Sequence, residues 1–274
     1  MVHCWVCGFK ARSLVSLIRK FGTADDLVRY RDKFAGTDRA KKFASEHSIE
    51  SLKLPDGFRL LASLVNVTDL DAQPAIKYLR SRGITDKDLW YYKFGVSPVL
   101  PRRVIMPSFD ALGQLNYYTT RAIDPETKPK YIDVDKELIE KTAVIFNEIN
   151  IDWNLELNIV EGPFDLVKCP ENTVPLQGNQ MSEEHALFNS ILLHGTRVCI
   201  MLDDDATARA YAIARQLCRY NIDVRLALLE KHHDPGSMTK EEVVAALASA
   251  PKWTWEDQIK EKISRVVLSK HTLL

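Results

Sequence analysis

The chain has 274 residues and a mass of 31.2 kDa; 46% of its residues are hydrophobic and 27% charged, with 37 basic side chains against 37 acidic ones. These proportions exclude a disordered, collagenous or fibrous protein, and no apolar run reaches the ~18 residues of a membrane span. The length suits one elaborate domain or two modest ones; the amino terminus lacks a secretory apolar segment, and the five cysteines (Cys4, Cys7, Cys169, Cys199, Cys218) are an odd number that favours reduced thiols, so the chain is expected in the cytoplasm, the host's if it is viral, with no membrane among its partners.

The zero net charge hides an asymmetry. Residues 1–48 carry ten Lys and Arg against five Asp and Glu, residues 75–131 repeat that ratio, and the compensating acids lie mostly further on. A basic front half joined to a more acidic back half suits a polyanion held by one region and a divalent cation by the other, although solvated helix faces explain the charge alone equally well.

In chain order, Cys4-Trp5-Val6-Cys7-Gly8 reads as a turn, and Leu14, Val15, Leu17, Ile18 and Phe21 predict an amphipathic helix that opens at Ser13, together residues 1–22. Polar helical sequence and the turn Pro55-Asp56-Gly57 make residues 23–72 a helical linker. Residues 74–82 and 86–93 predict a helical hairpin turned at Gly83, with Thr85 as a cap. The pattern then changes to short β-rich runs at 102–108 and 115–120, joined by Asp110-Ala111-Leu112-Gly113, and a third strand at Lys130-Tyr131-Ile132. Residues 73–153 thus form a basic α+β subdomain.

From residue 154 to 250, apolar strands at 157–160, 173–176, 197–202 and 224–229 alternate with helical stretches near 164–169, 182–193, 206–220 and 239–249. This alternation predicts an α/β fold, a mostly parallel sheet with flanking helices. Residues 251–274 read as a helical tail through Trp255, Ile259, Ile263, Val266 and Val267.

Ligands of open α/β sheets gather at the carboxyl ends of the strands, and here those ends are acidic. Val160 runs into Glu161-Gly162-Pro163-Phe164-Asp165, and Leu202 into Asp203-Asp204-Asp205. Side chains alternate across a strand, so Asp203 and Asp205 are expected on one face. With Glu161 they form a set of carboxylates that repel one another unless a cation sits between them, and hard oxygen ligands select Mg²⁺ or Mn²⁺. Asp234, after the fourth strand, is a further candidate. The competing reading is that such acids cap helices, Asp165 and Asp205 standing where N-caps belong.

The motifs Val160-Glu161-Gly162-Pro163-Phe164-Asp165 and Leu202-Asp203-Asp204-Asp205-Ala206, with the glycine turn Leu176-Gln177-Gly178-Asn179-Gln180 between them, resemble the Toprim domain of bacterial-type primases, topoisomerases and some nucleases. The middle position of the second motif, often glycine in primases, is Asp204. Upstream, Arg103-Val104-Ile105-Met106-Pro107, Thr120-Arg121-Ala122 and Lys128-Pro129-Lys130-Tyr131-Ile132 resemble the basic half of a primase polymerase core, most similar to the single-subunit primases of T-even-type bacteriophages. The resemblance implies a DNA primase that makes RNA primers on a single-stranded DNA template from ribonucleoside triphosphates, beside a separate replicative helicase. It implies Glu161, Asp203 and Asp205 as catalytic residues, Asp165 with them as a Mg²⁺ or Mn²⁺ ligand, and Arg103, Arg121 and Lys130 as phosphate contacts. Glu161 is either a metal ligand or the proton acceptor. His3-Cys4-Trp5-Val6-Cys7-Gly8 resembles the second half of the primase zinc-binding domain, which makes Cys4 and Cys7 candidate Zn²⁺ ligands; structural zinc takes four, and the first pair has no counterpart ahead of His3. The alternatives are a Toprim nuclease, and a non-catalytic module that binds single-stranded DNA or a helicase.

Overall fold

The structure, a computed structural model, describes residues 52–254 except 179, 230–234 and 237, together with positions 2, 3, 10, 11, 18, 26, 29, 256, 257, 259, 260 and 263. Near the amino terminus, β1 (Val2–His3) pairs antiparallel with β2 (Lys10–Ala11). Cys4 and Cys7, expected as zinc ligands, fall between them and lie outside the described residues, as does the expected helix after Ser13 except for Ile18.

The first half is built on a five-stranded antiparallel sheet in chain order. It comprises β3 (Arg59–Leu60), β4 (Gly95–Val96), β5 (Arg103–Phe109), β6 (Leu115–Ala122) and β7 (Tyr131–Asp133). The end of the stretch expected as a helical linker supplies an edge strand and a 3₁₀ turn, Leu61–Leu64; before residue 52, that stretch lies outside the described residues except at positions 26 and 29. Gly95 permits the β3–β4 pairing, because a Cβ there would stand 2.1 Å from the Phe58 ring.

Between β3 and β4 lie α1 (Ala72–Ser81) and α2 (Asp86–Tyr91). The first forms because Ala72, Ala75, Ile76 and Leu79 share a buried face. It ends at Gly83, whose φ of 74° suits a residue without a Cβ. Thr85 and Asp88 close a reciprocal capping box on α2. At the β5–β6 hairpin, Asp110 Oδ1 accepts from the backbone N–H of Leu112 and Gln114, both at 2.9 Å.

The second half holds β8 (Leu157–Val160), β9 (Thr173–Pro175), α3 (Ala186–His194), β10 (Val198–Ile200), α4 (Thr207–Cys218), β11 (Val224–Leu226) and α5 (Lys240–Ser249). The four strands are parallel in the order β11-β10-β8-β9. The helix expected near 164–169 is a 3₁₀ segment, Pro163–Lys168, and the one expected from 182 begins at Ala186, behind the His185 cap.

Strand alternation divides the sheet between two cores. Leu157, Ile159, Val198, Ile200, Val224 and Leu226 pack with α3 and α4. Val160, Cys199, Met201 and Ala227 face the other way, into a core shared with Leu61, Ile76, Leu79, Phe94, Val104, Met106 and Tyr117 of the first half and Val243 and Leu247 of α5. One core thus joins the two sheets. Two polar contacts reinforce it: Tyr92 Oη donates to Leu166 O at 3.0 Å, and Lys240 Nζ lies 2.9 Å from Asp88 Oδ1.

Beyond α5, Trp253 is buried against Tyr211, and its backbone N–H donates to Val224 O at 2.7 Å. Ile259 and Ile263 are exposed, while Trp255, Val266 and Val267 lie outside the described residues. Among the described residues no helix is long and apolar enough to cross a membrane.

Candidate active site

In the parallel sheet, the chain moves from β8 to β9 on one side and to β10 and β11 on the other. The strand order therefore reverses between β8 and β10, which opens a crevice at their carboxyl ends. Glu161 follows β8 and Asp203 follows β10, so two acids far apart in sequence meet there. One carboxylate oxygen from each of Glu161, Asp203 and Asp205 lies within 4.8 Å of the other two.

β10 ends at Ile200, and Asp204–Ala206 form a 3₁₀ turn. Asp203 and Asp205 thus come together through the turn, where strand alternation had been the expectation. The turn is closed by Ala206 N–H donating to Asp203 O at 2.9 Å and Thr207 Oγ1 to Asp204 O at 2.9 Å.

Asp165 stands outside the three-carboxylate group. Its Oδ2 accepts from Gly162 N–H at 2.8 Å, fixing the turn that follows Glu161. A Cβ on Gly162 would come within 3.2 Å of that oxygen, so glycine allows the close approach. On the neighbouring strand, Leu176 N–H continues the ladder to Val160 O at 2.8 Å, and the chain then turns at Gln177, φ 51°. His185 supports this turn from below. It is buried, it accepts from Leu187 N–H through Nδ1 at 3.3 Å, and its Nε2 faces Leu176 O at 3.0 Å; burial lowers its pKa and keeps the ring neutral.

Basic side chains gather at the same place: Arg121 on β6, Lys130 just before β7, Arg82 after α1 and Lys141 beyond β7. With Glu161, Asp165, Asp203, Gln177 and Arg209 they line an open cleft of about 620 Å³. Arg121 and Tyr131 are cross-strand partners. The Arg121 guanidinium lies 5.3 Å from the Tyr131 ring centre and 5.4 Å from that of Phe164, and its Nη1 donates to Tyr131 Oη. Burial raises the Tyr131 phenol above its ordinary value, so the hydroxyl stays protonated beside the guanidinium. Lys130 Nζ lies 5.6 Å from the same ring.

Arg103, a phosphate contact by resemblance, is 5% exposed; its Nη2 donates to Pro129 O, its Nη1 is buried with no hydrogen-bond partner among the described residues, and it is not among the residues that line this cleft. The loss of solvent lowers its pKa.

Two cleft residues escape sequence reasoning. Arg209, on α4, places Nη2 at 3.1 and 3.3 Å from the two Glu161 carboxylate oxygens. Gln177 is 7% exposed, and its Oε1 has no hydrogen-bond partner among the described residues. Helical spacing offers no sign that Arg209 reaches residue 161; for Gln177 the adjoining glycine turn was the available signal.

The donor set fits a hard divalent cation: three carboxylates, mutually close, with room in the cleft for water or phosphate oxygens to complete a shell. The chemistry open to the site is phosphoryl or nucleotidyl transfer, with cations at the acids and an anionic substrate at the basic side chains.

Solved structures share this architecture. The fold is that of a primase catalytic core. The zinc-binding and RNA polymerase domains of the Aquifex aeolicus primase superpose with a TM-score of 0.58 at 20% identity, over 74% of this chain and 63% of that one. The DnaG primase catalytic domain bound to single-stranded DNA gives 0.54 at 17% identity, over 70% and 79%. In sequence, a DNA primase of Listeria innocua is 27% identical over 143 residues, 48% of this chain and 23% of that protein, so the chain spans a small part of the relative it matches. No model of a known protein family matches the chain.

Proposed function

We propose that the chain is the catalytic core of a DNA primase, which joins ribonucleoside triphosphates into short RNA primers on single-stranded DNA. The observation that carries this reading is the cluster Glu161, Asp203 and Asp205 at the sheet's switch point, with Arg121 and Lys130 in the same cleft of a primase-core fold. The reaction is attack of a nucleotide 3′-hydroxyl on the α-phosphorus of a second triphosphate, with pyrophosphate leaving.

Asp203 and Asp205, with Glu161, would hold Mg²⁺ or Mn²⁺, which supplies acidification of the attacking hydroxyl and neutralisation of the leaving charge. Asp165 keeps Glu161 in register through the Gly162 N–H. Arg121, held near the Tyr131 and Phe164 rings, would offer its guanidinium to phosphate, and Lys130 would add a point charge in the same cleft. A DnaG catalytic domain bound to single-stranded DNA has this fold, which supports a DNA template as the polyanion here.

The finer reading follows the sequence resemblance. The chain is of the T-even bacteriophage type, works in the cytoplasm beside a separate replicative helicase, and uses Cys4 and Cys7 for zinc. Zinc content of the purified chain, measured by mass spectrometry before and after Cys4→Ser/Cys7→Ser substitution, tests the last point.

The deciding experiment is primer synthesis on mixed-sequence single-stranded DNA with labelled ribonucleotides and Mg²⁺, with and without the helicase. Wild type is expected to yield short labelled oligoribonucleotides and Asp203→Ala/Asp205→Ala none. DNA cleavage without nucleotides would replace this reading by a nuclease. Equal synthesis by both proteins would leave the acids no catalytic part.

A further inference from the structure

Glu161 is already engaged by a cation of the protein's own. Arg209 Nη2 bridges both oxygens of its carboxylate, at 3.1 and 3.3 Å, and the two side chains are 23% and 30% exposed. One nitrogen is shared between two oxygens and the pair is part-exposed, so another cation can reach Glu161 and replace the contact. A divalent ion in the three-carboxylate cluster needs at least one of the same oxygens, and its charge would repel the guanidinium beside it.

We infer that Arg209 is the resident countercation of the cluster, and that it changes partner, from Glu161 to the triphosphate of the bound nucleotide, when a divalent ion takes Glu161. The inference rests on the proposed reading of Glu161, Asp203 and Asp205 as the metal site. Three features carry it. First, the backbone of Arg209 is fixed by its buried neighbours Ala210, Ile213 and Ala214 on α4, so the exchange needs only side-chain rotation. Second, Arg209 lines the same cleft as Arg121 and Lys130, so on leaving Glu161 it remains within the basic surround of an anionic substrate. Third, a guanidinium stays charged at every working pH, so it neutralises the acids or the triphosphate, whichever it faces.

The consequence is an ordered exchange. Arg209 opposes the ion in the empty cleft and favours the nucleotide in the loaded one, so ion and nucleotide bind with positive coupling beyond their direct attraction.

The test is calorimetric titration of the full chain with Mn²⁺ alone, then with α,β-methylene ATP at saturating Mn²⁺, each variant's melting curve confirming that it is folded. Arg209→Gln is expected to bind Mn²⁺ roughly three- to tenfold more tightly, the worth of a half-buried ion pair, and the ATP analogue about tenfold more weakly. Arg209→Lys, which keeps the charge without the fork, falls between. Lys141→Gln removes an equal charge from the same cleft, but its partner is Asp133, and it should leave Mn²⁺ affinity within about twofold if the effect is pairwise.

Unchanged or weakened Mn²⁺ binding by Arg209→Gln overturns the inference, as does an equal gain from Lys141→Gln. Asp203→Asn/Asp205→Asn separates the two levels of argument. If this double variant loses Mn²⁺ while Arg209→Gln behaves as wild type, the inference alone fails; if it binds Mn²⁺ as wild type does, the metal-site reading fails and takes the inference with it.

Discussion

Replacing Asp88 with alanine should loosen the seam between the two halves. Its carboxylate is buried, 8% exposed, and accepts from Thr85 N–H at 2.8 Å, Thr85 Oγ1 at 2.7 Å and Lys240 Nζ at 2.9 Å. Asp88 closes the cap of α2, while Lys240 opens α5. Two hydrogen bonds to a charged acceptor at ~1 kcal/mol each and a partly exposed ion pair at up to ~1 kcal/mol put the cost of Asp88→Ala at about 3 kcal/mol. That corresponds to a fall in melting temperature of roughly 6–12 °C.

The pH dependence gives this prediction a second edge. Burial pushes the Asp88 carboxyl up, but the hydrogen bonds from Thr85 and Lys240 outweigh it, and the folded-state pKa lies below its ordinary value. A group depressed by folding contributes its stabilisation in full above the unfolded pKa, near 3.9, and loses it as pH falls through the folded value. Urea denaturation of wild type and Asp88→Ala should therefore differ by a constant amount from about pH 5 to 7 and by progressively less as pH falls below about 4. Lys240→Met should reproduce about a third of the loss and couple to Asp88→Ala in a double-mutant cycle. A difference under about 0.5 kcal/mol at pH 7, or one unchanged at pH 2.5, would refute the reasoning.

Arg225 donates to Leu247 O at 2.6 Å, Ala248 O at 2.9 Å and Ala250 O at 2.9 Å at the end of α5, so Arg225→Ala should cost about 2–3 kcal/mol and speed amide exchange selectively across Lys240–Ser249, read by mass spectrometry. Tyr131→Leu removes both the stacking face and the hydroxyl that hold Arg121 and should weaken single-stranded DNA binding about three- to tenfold by fluorescence anisotropy; Tyr131→Phe, which keeps the face, should cost less. Burial pushes the Cys199 thiol up to about 11 and also raises Cys169 and Cys218, so alkylation by iodoacetamide at pH 8 should be far slower at all three in the native chain than in urea.

The parallel sheet could be read in advance because its strands are short apolar runs with acids after their ends, which singles out Glu161 and Asp203; Asp205 joins them through the 3₁₀ turn that the pattern did not show. Sequence could not give the register that sets Arg121 opposite Tyr131, since cross-strand pairing is a long-range property. The burial of Arg103 was hidden for a related reason. Every residue of β5 from Arg103 to Ser108 is buried, so the strand shows no polar face, and a charge that reads as exposed is enclosed by the chain around Pro129. Arg209 stayed hidden because its partner is 48 positions away, and on α4 it looks like any solvated helix charge. Arg59–Leu60 was too short a run to separate from the polar stretch before it; only pairing with β4 makes it a strand.

The core shared by the two sheets has a consequence for synthesis on the ribosome. Leu61, Ile76, Phe94 and Met106 emerge early, yet they pack against Val160, Met201, Ala227, Val243 and Leu247, which are translated much later. The nascent first half therefore carries an uncovered apolar surface until α5 has cleared the exit tunnel, and it is exposed to aggregation and chaperone capture for that interval. Truncations ending before residue 240 should inherit the same open surface and accumulate as insoluble chains.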